Sequence, residues 1–167
     1  MKKFLFVLLQ CTWGSAQTLL GFLFFLKFRK KYPHKFYRGT IDARWRSRSG
    51  MSLGLFIFSP DEESEQAEQI RIHEYGHCIQ SLVLGPAYLI LGLISVCWAN
   101  IPYFRKLRKE KNIPYTSCFV ESWASKWGEL VILLFRHKNP SGTRLPGGKN
   151  FMYWCGCRRC RNACTRR

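Results

Sequence analysis

Five consecutive residues, His73-Glu74-Tyr75-Gly76-His77, match the pattern H-E-x-x-H. On a helix, positions i and i+4 lie on one face, one turn apart. Two imidazoles placed there converge on a single zinc ion at about 2.0 to 2.1 Å each. Glu74 adjoins the first histidine, so its carboxylate reaches a water at the metal without binding the metal itself. Zinc lowers the pKa of such a water toward about 7, and Glu74 is the expected general base that takes its proton. The plainer alternative is a histidine pair satisfied by ordinary surface or core contacts. An acidic stretch before the motif, an apolar one after it and Glu74 within it favour Zn2+.

A catalytic zinc site takes a third protein ligand and keeps one position open. His34 and His137 sit among basic, loop-like residues, and the only carboxylates after the motif are Glu110, Glu121 and Glu129. Glu110 lies in a Lys/Arg cluster and reads as a solvated ion-pair residue. Glu121 is flanked by Phe119 and Trp123. A carboxylate in that semi-apolar setting needs a partner, and a metal is a good one. The expected ligand set is therefore His73, His77 and Glu121, with a structural ion pair as the alternative for Glu121. Gln80 and Ser81 fall on or near the histidine face, either as donors to the ligands or as polar residues closing a buried face. Gly76 suits close helix packing.

The segment HEYGHCIQSLVLGPAYLILGLISVCWAN followed by YTSCFVESWASKWG resembles a group of uncharacterised small bacterial membrane proteins. They share HEYGH-x-x-Q-S, then LGP-x-Y, a tryptophan near the end of the apolar run, and a glutamate-tryptophan-alanine segment. The likeness covers roughly residues 37–128 and implies a bacterial cell-membrane location. More distantly, the chain resembles glutamate-type zinc metallopeptidases, in which a glutamate on a later helix completes HExxH, often with an aspartate four residues on. That likeness implies a peptide or protein substrate, with Glu121 as the ligand. Ser125 stands where the aspartate would orient a ligand histidine, and serine does so more weakly.

These residues must be positioned by helices. Ser59-Pro60-Asp61-Glu62 fits a capping box, which predicts a helix from there through HEYGH to Leu84, stopped by Gly85 and Pro86. Upstream, Ser52–Phe58 reads as a strand after the Ser49-Gly50 turn, with Gly39–Trp45 as its hairpin partner. Phe4 to Leu26 carries no charge, long enough for a transmembrane helix ending at Phe28. A cleaved signal peptide fits less well, because the run exceeds a signal core and no small-x-small site closes it. Gln10, Thr12, Ser15, Gln17 and Thr18 make one face of it polar, suited to packing on protein. A second apolar run, Ala87–Phe104, is broken from the first by Gly85-Pro86 and reads as re-entrant or buried against the first helix. A third helix over Ser117–Phe135 carries Glu121.

The expected class is a mainly α membrane protein with a short β-hairpin. Residues 1–28 form the transmembrane helix, 29–136 the metal-site domain and 137–167 an irregular basic tail. The 167-residue chain has 27 Lys+Arg against 10 Asp+Glu, a net charge of +17. The basic residues cluster after apolar runs: Lys27, Arg29, Lys30, Lys31 and Lys35, then Arg105, Lys106, Arg108, Lys109 and Lys111. That placement suits anionic membrane lipids. RNP and C2H2 signatures are missing, so no specific nucleic-acid partner is expected. Cys155, Cys157, Cys160 and Cys164 are irregularly spaced among arginines; a second zinc site is one reading and a non-functional extension the favoured one. Two functions stay open: a membrane-embedded zinc metallopeptidase-like protein, or a non-catalytic membrane protein with a structural metal.

Overall fold

The computed structural model describes residues 3–138 and is mainly helical, with one small sheet. The N-terminal apolar run is not one helix. It forms α1 (Lys3–Thr12) and α2 (Ser15–Phe28), bent by 96° about Trp13-Gly14. The physical cause is the polar residues on its inner face. Gln10 Nε2 donates to Cys78 O at 2.8 Å, and Gln17 Nε2 donates to Ser81 Oγ at 2.8 Å and Gly85 O at 2.9 Å. Ser81 Oγ in turn donates to Gln10 Oε1 at 3.0 Å. These groups are fully buried, so each needs a partner, and one straight helix leaves them without these.

The sheet corrects the expected hairpin. Its four strands are β1 (His34–Tyr37), β2 (Thr40–Trp45), β3 (Met51–Leu53) and β4 (Phe56–Pro60), in the order β1-β2-β4-β3. β2 and β4 do pair, but in parallel; each is antiparallel to a short outer strand, β1 or β3. The run from Ser52 to Phe58 is two strands because Gly54 turns the chain at φ +59°. Ile57 and Phe58 are fully buried at the centre of the core, with Phe6, Phe56, Tyr75 and Cys78 around them. Burying such side chains stabilises by about 1.5–3 kcal/mol each.

The metal-motif helix, α3 (Glu65–Leu84), begins later than expected. Its N-cap is Ser64, whose Oγ accepts from Ala67 N at 3.1 Å, not Ser59. Ser59 and Pro60 end β4 instead, because a buried ionic group claims them. Ser59 Oγ donates to Asp42 Oδ1 at 2.7 Å, and Arg71 Nε donates to Ser59 Oγ at 3.2 Å. Arg71 Nη2 also donates to Pro60 O and Glu62 O, at 3.2 and 2.7 Å. Burial raises the Asp42 carboxyl, with Ser59, Arg71 and Arg44 pulling the other way. At the rim, bonds from Arg44 and Lys35 hold Glu63 down at about 2.

The predicted stop at Gly85 is present as a sharp turn (φ +55°, ψ -132°), followed by a 3-10 turn over Gly85–Ala87 and then α4 (Tyr88–Asn100). Helical structure runs unbroken from Glu65 to Asn100, long and apolar enough to cross a membrane, with an 18-residue mean hydropathy of 2.1. It is not straight. The rings of His77 and Tyr88 are 6.3 Å apart, and the Ser95 hydroxyl bonds Glu121 Oε1, whose sister oxygen is 3.6 Å from His77 Nε2. In a straight helix Ser95 would stand about 27 Å from His77. α4 therefore folds back alongside α3.

A basic helix, α5 (Pro102–Glu110), leads to α6 (Phe119–Lys138), which begins two residues later than expected. α6 runs antiparallel to α3 at backbone contact. A Cβ on Gly76 would collide with Ala124 O, and one on Gly128 with Ile72 O. The two glycines let the helices approach closely, the role expected of Gly76. Residues 139–167, including the four clustered cysteines of the expected tail, lie outside the described residues.

Candidate metal centre

The α3–α6 contact brings His73, His77 and Glu121 together, and their ligand atoms all lie within 4.8 Å of one another. The group could hold a metal ion. Glu121 Oε2 is 3.0 Å from His73 Nε2 and 3.6 Å from His77 Nε2. Ligands about 2.0–2.1 Å from a tetrahedral zinc stand about 3.3 Å apart, so these separations bracket the required edge. The three side chains are 12%, 8% and 1% exposed.

The surrounding hydrogen bonds fix where the protons are. Gln80 Nε2 donates to Val120 O at 3.0 Å, which turns Gln80 Oε1 toward His77. His77 Nδ1–H then donates to that oxygen at 2.8 Å. Ser125 spends its only proton on Glu121 O at 3.0 Å, so it accepts from His73 Nδ1–H at 2.9 Å. Each Nδ1–H is thus engaged away from Glu121, and each Nε2 is left facing its carboxylate, able to donate a proton to it or to offer a lone pair to a metal. Two Nε2 atoms and a carboxylate oxygen face one another across 3.0 and 3.6 Å, and with no cation between them they would repel. A cation, either a proton on an imidazole or a metal, relieves that repulsion. The orientation of each ligand by a neighbour on its other nitrogen is the arrangement metal-binding histidines normally have.

Glu121 has its second oxygen occupied. Ser95 donates to Oε1, and Tyr115 OH lies 3.4 Å from the Ser95 hydroxyl. Burial alone would raise the Glu121 carboxyl; the bonds from His73 and His77 outweigh it and hold the group far below the ordinary carboxylate range. It is an anion at neutral pH, with one free oxygen aimed at the histidines.

Glu74 is buried beside the ligands, 6% exposed. Its carboxyl lies against the bare Cα of Gly50, where a Cβ would strike Oε1 and Cγ. The Ser52 hydroxyl of β3 is buried next to it and lacks a hydrogen bond of good geometry. The alternative ligands are not in the cluster. His34 is exposed on β1, edge-on to Phe25 at 5.3 Å. His137 is on α6 about 24 Å along the axis from Glu121. Glu110 pairs with Lys106 at 3.7 Å on the surface. Of the two residues left open, Gln80 touches a ligand, whereas Ser81 faces the α1–α2 elbow. Ser95 and Tyr115 were not singled out by sequence reasoning. The one usable signal is that Ser95 is the single serine in a mostly apolar helix.

Comparison of the chain with protein-family models, with curated proteins and with solved structures gave no match.

Proposed function

We propose that this chain is a membrane-embedded zinc metallopeptidase-like protein. The observation that carries the reading is the convergence of three lone-pair donors, His73 Nε2, His77 Nε2 and Glu121 Oε2, with both Nδ1 protons engaged elsewhere. Two nitrogens and one carboxylate oxygen are a donor set suited to zinc. Bound there, zinc would acidify water and polarise a substrate carbonyl. Glu74, one residue from His73 and out of the ligand set, is the group to accept the water's proton. β3 lies at the sheet edge against α3, where the backbone of an extended peptide could pair beside Glu74. Membrane residence is supported by apolar surface that a soluble monomer rarely leaves open, including Leu19, Leu23, Ile90, Leu93 and Val96. Together with the resemblance to small bacterial membrane proteins, this favours a bacterial cell membrane, with anionic lipids as partners of the basic clusters.

A second reading is a metal that only ties α3 to α6. The near-closure of the site favours it, since Glu121 is 1% exposed. Zinc content of the detergent-purified protein, with His77→Ala and Glu74→Gln, separates the two. Absence of stoichiometric zinc from the wild type defeats both. A Glu74→Gln protein that keeps zinc but no longer cleaves a peptide library, which the wild type does cleave, supports the peptidase. If the wild type binds zinc and cleaves nothing, the structural reading stands.

A further inference from the structure

The two bends in the apolar helices meet. The Trp13 ring occupies the space a Cβ on Gly85 would need, and Gln17 Nε2 donates to Gly85 O at 2.9 Å. The α1–α2 elbow and the α3–α4 turn are therefore one apex. Around it the surface is apolar and open: Trp13 is 53% exposed and Ile90 65%. Away from it, both arms end in exposed cations. α2 leads into Arg29, Lys30 and Lys31, and α4 into α5 with Arg105, Lys106 and Lys109.

From this placement we propose that the chain is monotopic: it inserts into an anionic bilayer from one face, apex first, and no segment among the described residues reaches the other side. The proposal rests on the membrane reading above. Length is the first argument. α1, α2 and α4 have 10, 14 and 13 residues. At 1.5 Å per residue they extend about 15, 21 and 20 Å. The hydrocarbon core is about 30 Å thick, so none of these arms crosses it, and the 36-residue run Glu65–Asn100 would do so only if it did not fold back at Gly85. Polar satisfaction is the second. A bend at membrane depth frees backbone groups that lipid cannot bond. Here Gln17 caps Gly85 O, Gln10 bonds Cys78 O, and Ser81 links the two glutamines. Charge is the third. Two re-entrant arms return both basic clusters to the side they entered from, which satisfies the preference for Lys and Arg on the cytoplasmic face. A single crossing between the clusters would separate them.

The test uses the full chain in bacterial membranes. Lys30→Cys, Arg48→Cys, Lys106→Cys and Ala87→Cys are made one at a time at exposed positions. Each is labelled with a membrane-impermeant maleimide in intact spheroplasts, in inverted vesicles and after detergent, and read against the unsubstituted chain. Monotopic insertion gives added labelling of Lys30→Cys, Arg48→Cys and Lys106→Cys from the same face, at least about tenfold over the other. Ala87→Cys, at the apex, gains label only in detergent. Labelling of Lys30→Cys and Lys106→Cys from opposite faces overturns the proposal, as does labelling of Ala87→Cys in sealed membranes. An alkaline carbonate wash keeps the two levels apart. Release of the unsubstituted chain defeats the membrane reading itself, whereas a retained chain with the wrong labelling defeats only the topology.

Discussion

Replacing Gln80 by leucine tests whether the hydrogen bonds around the ligands serve a metal. The substitution keeps the volume and removes both bonds of the amide, to His77 Nδ1 at 2.8 Å and to Val120 O at 3.0 Å. Loss of a partner on a ligand histidine typically weakens metal binding 10- to 100-fold, so about 30-fold is expected. Zinc at one hundred times the wild-type Kd stabilises the wild-type fold by about 2.7 kcal/mol. At the same zinc concentration the variant would sit at about three times its own Kd, and its gain falls to about 0.9 kcal/mol. Leaving the buried His77 Nδ1–H without its acceptor costs a further 1–3 kcal/mol, roughly, but lowers both zinc-free and zinc-loaded stability. The zinc-dependent increment is therefore the quantity to read, from unfolding in detergent with and without the ion. Gln80→Glu retains an acceptor toward His77 and should keep most of the increment. A Gln80→Leu protein with the full wild-type increment would refute the reasoning.

Other expectations follow from the packing. Gly76→Val forces a side chain into the Ala124 carbonyl, so α3 and α6 must separate. Melting in detergent should show a loss of at least about 1–3 kcal/mol, together with lost zinc binding, because His73 and Glu121 part with the helices. Arg71→Met leaves Asp42 a buried acid without its principal cation at 3.3 Å. Denaturant unfolding should report a loss of about 3–5 kcal/mol, and the double variant Asp42→Asn with Arg71→Met should recover part of it.

The residues that could do chemistry were legible because the signal is local. H-E-x-x-H needs only a helix, and α3 is one. Glu121 was legible from its setting, a lone carboxylate between Phe119 and Trp123 that needs a partner. Gly85 announced its turn because left-handed backbone favours glycine. What escaped depends on residues far apart in the chain. The elbow at Trp13-Gly14 is stabilised by contacts to Cys78, Ser81 and Gly85, more than sixty positions away. Ser59 has every mark of an N-cap, yet Asp42 and Arg71 draw it into a strand. The parallel pairing of β2 with β4 has no local signature, whereas a hairpin does. Ser125 read as a weakened substitute for an acid; the structure puts its oxygen on His73 Nδ1, and its lone proton goes to a backbone carbonyl.

The split of the ligands between α3 and α6 has a consequence for biosynthesis. His73 and His77 leave the ribosome together, while Glu121, their carboxylate partner, emerges only after α4 and α5 have been made. During that interval two imidazoles on a nascent helix can hold an ion only loosely and with the wrong neighbours. The three-residue group is complete only when α6 docks through Gly76 and Gly128. The order of synthesis thus puts any metal capture by all three residues after α6 has been made, a step that a truncated chain ending before Phe119 cannot reach.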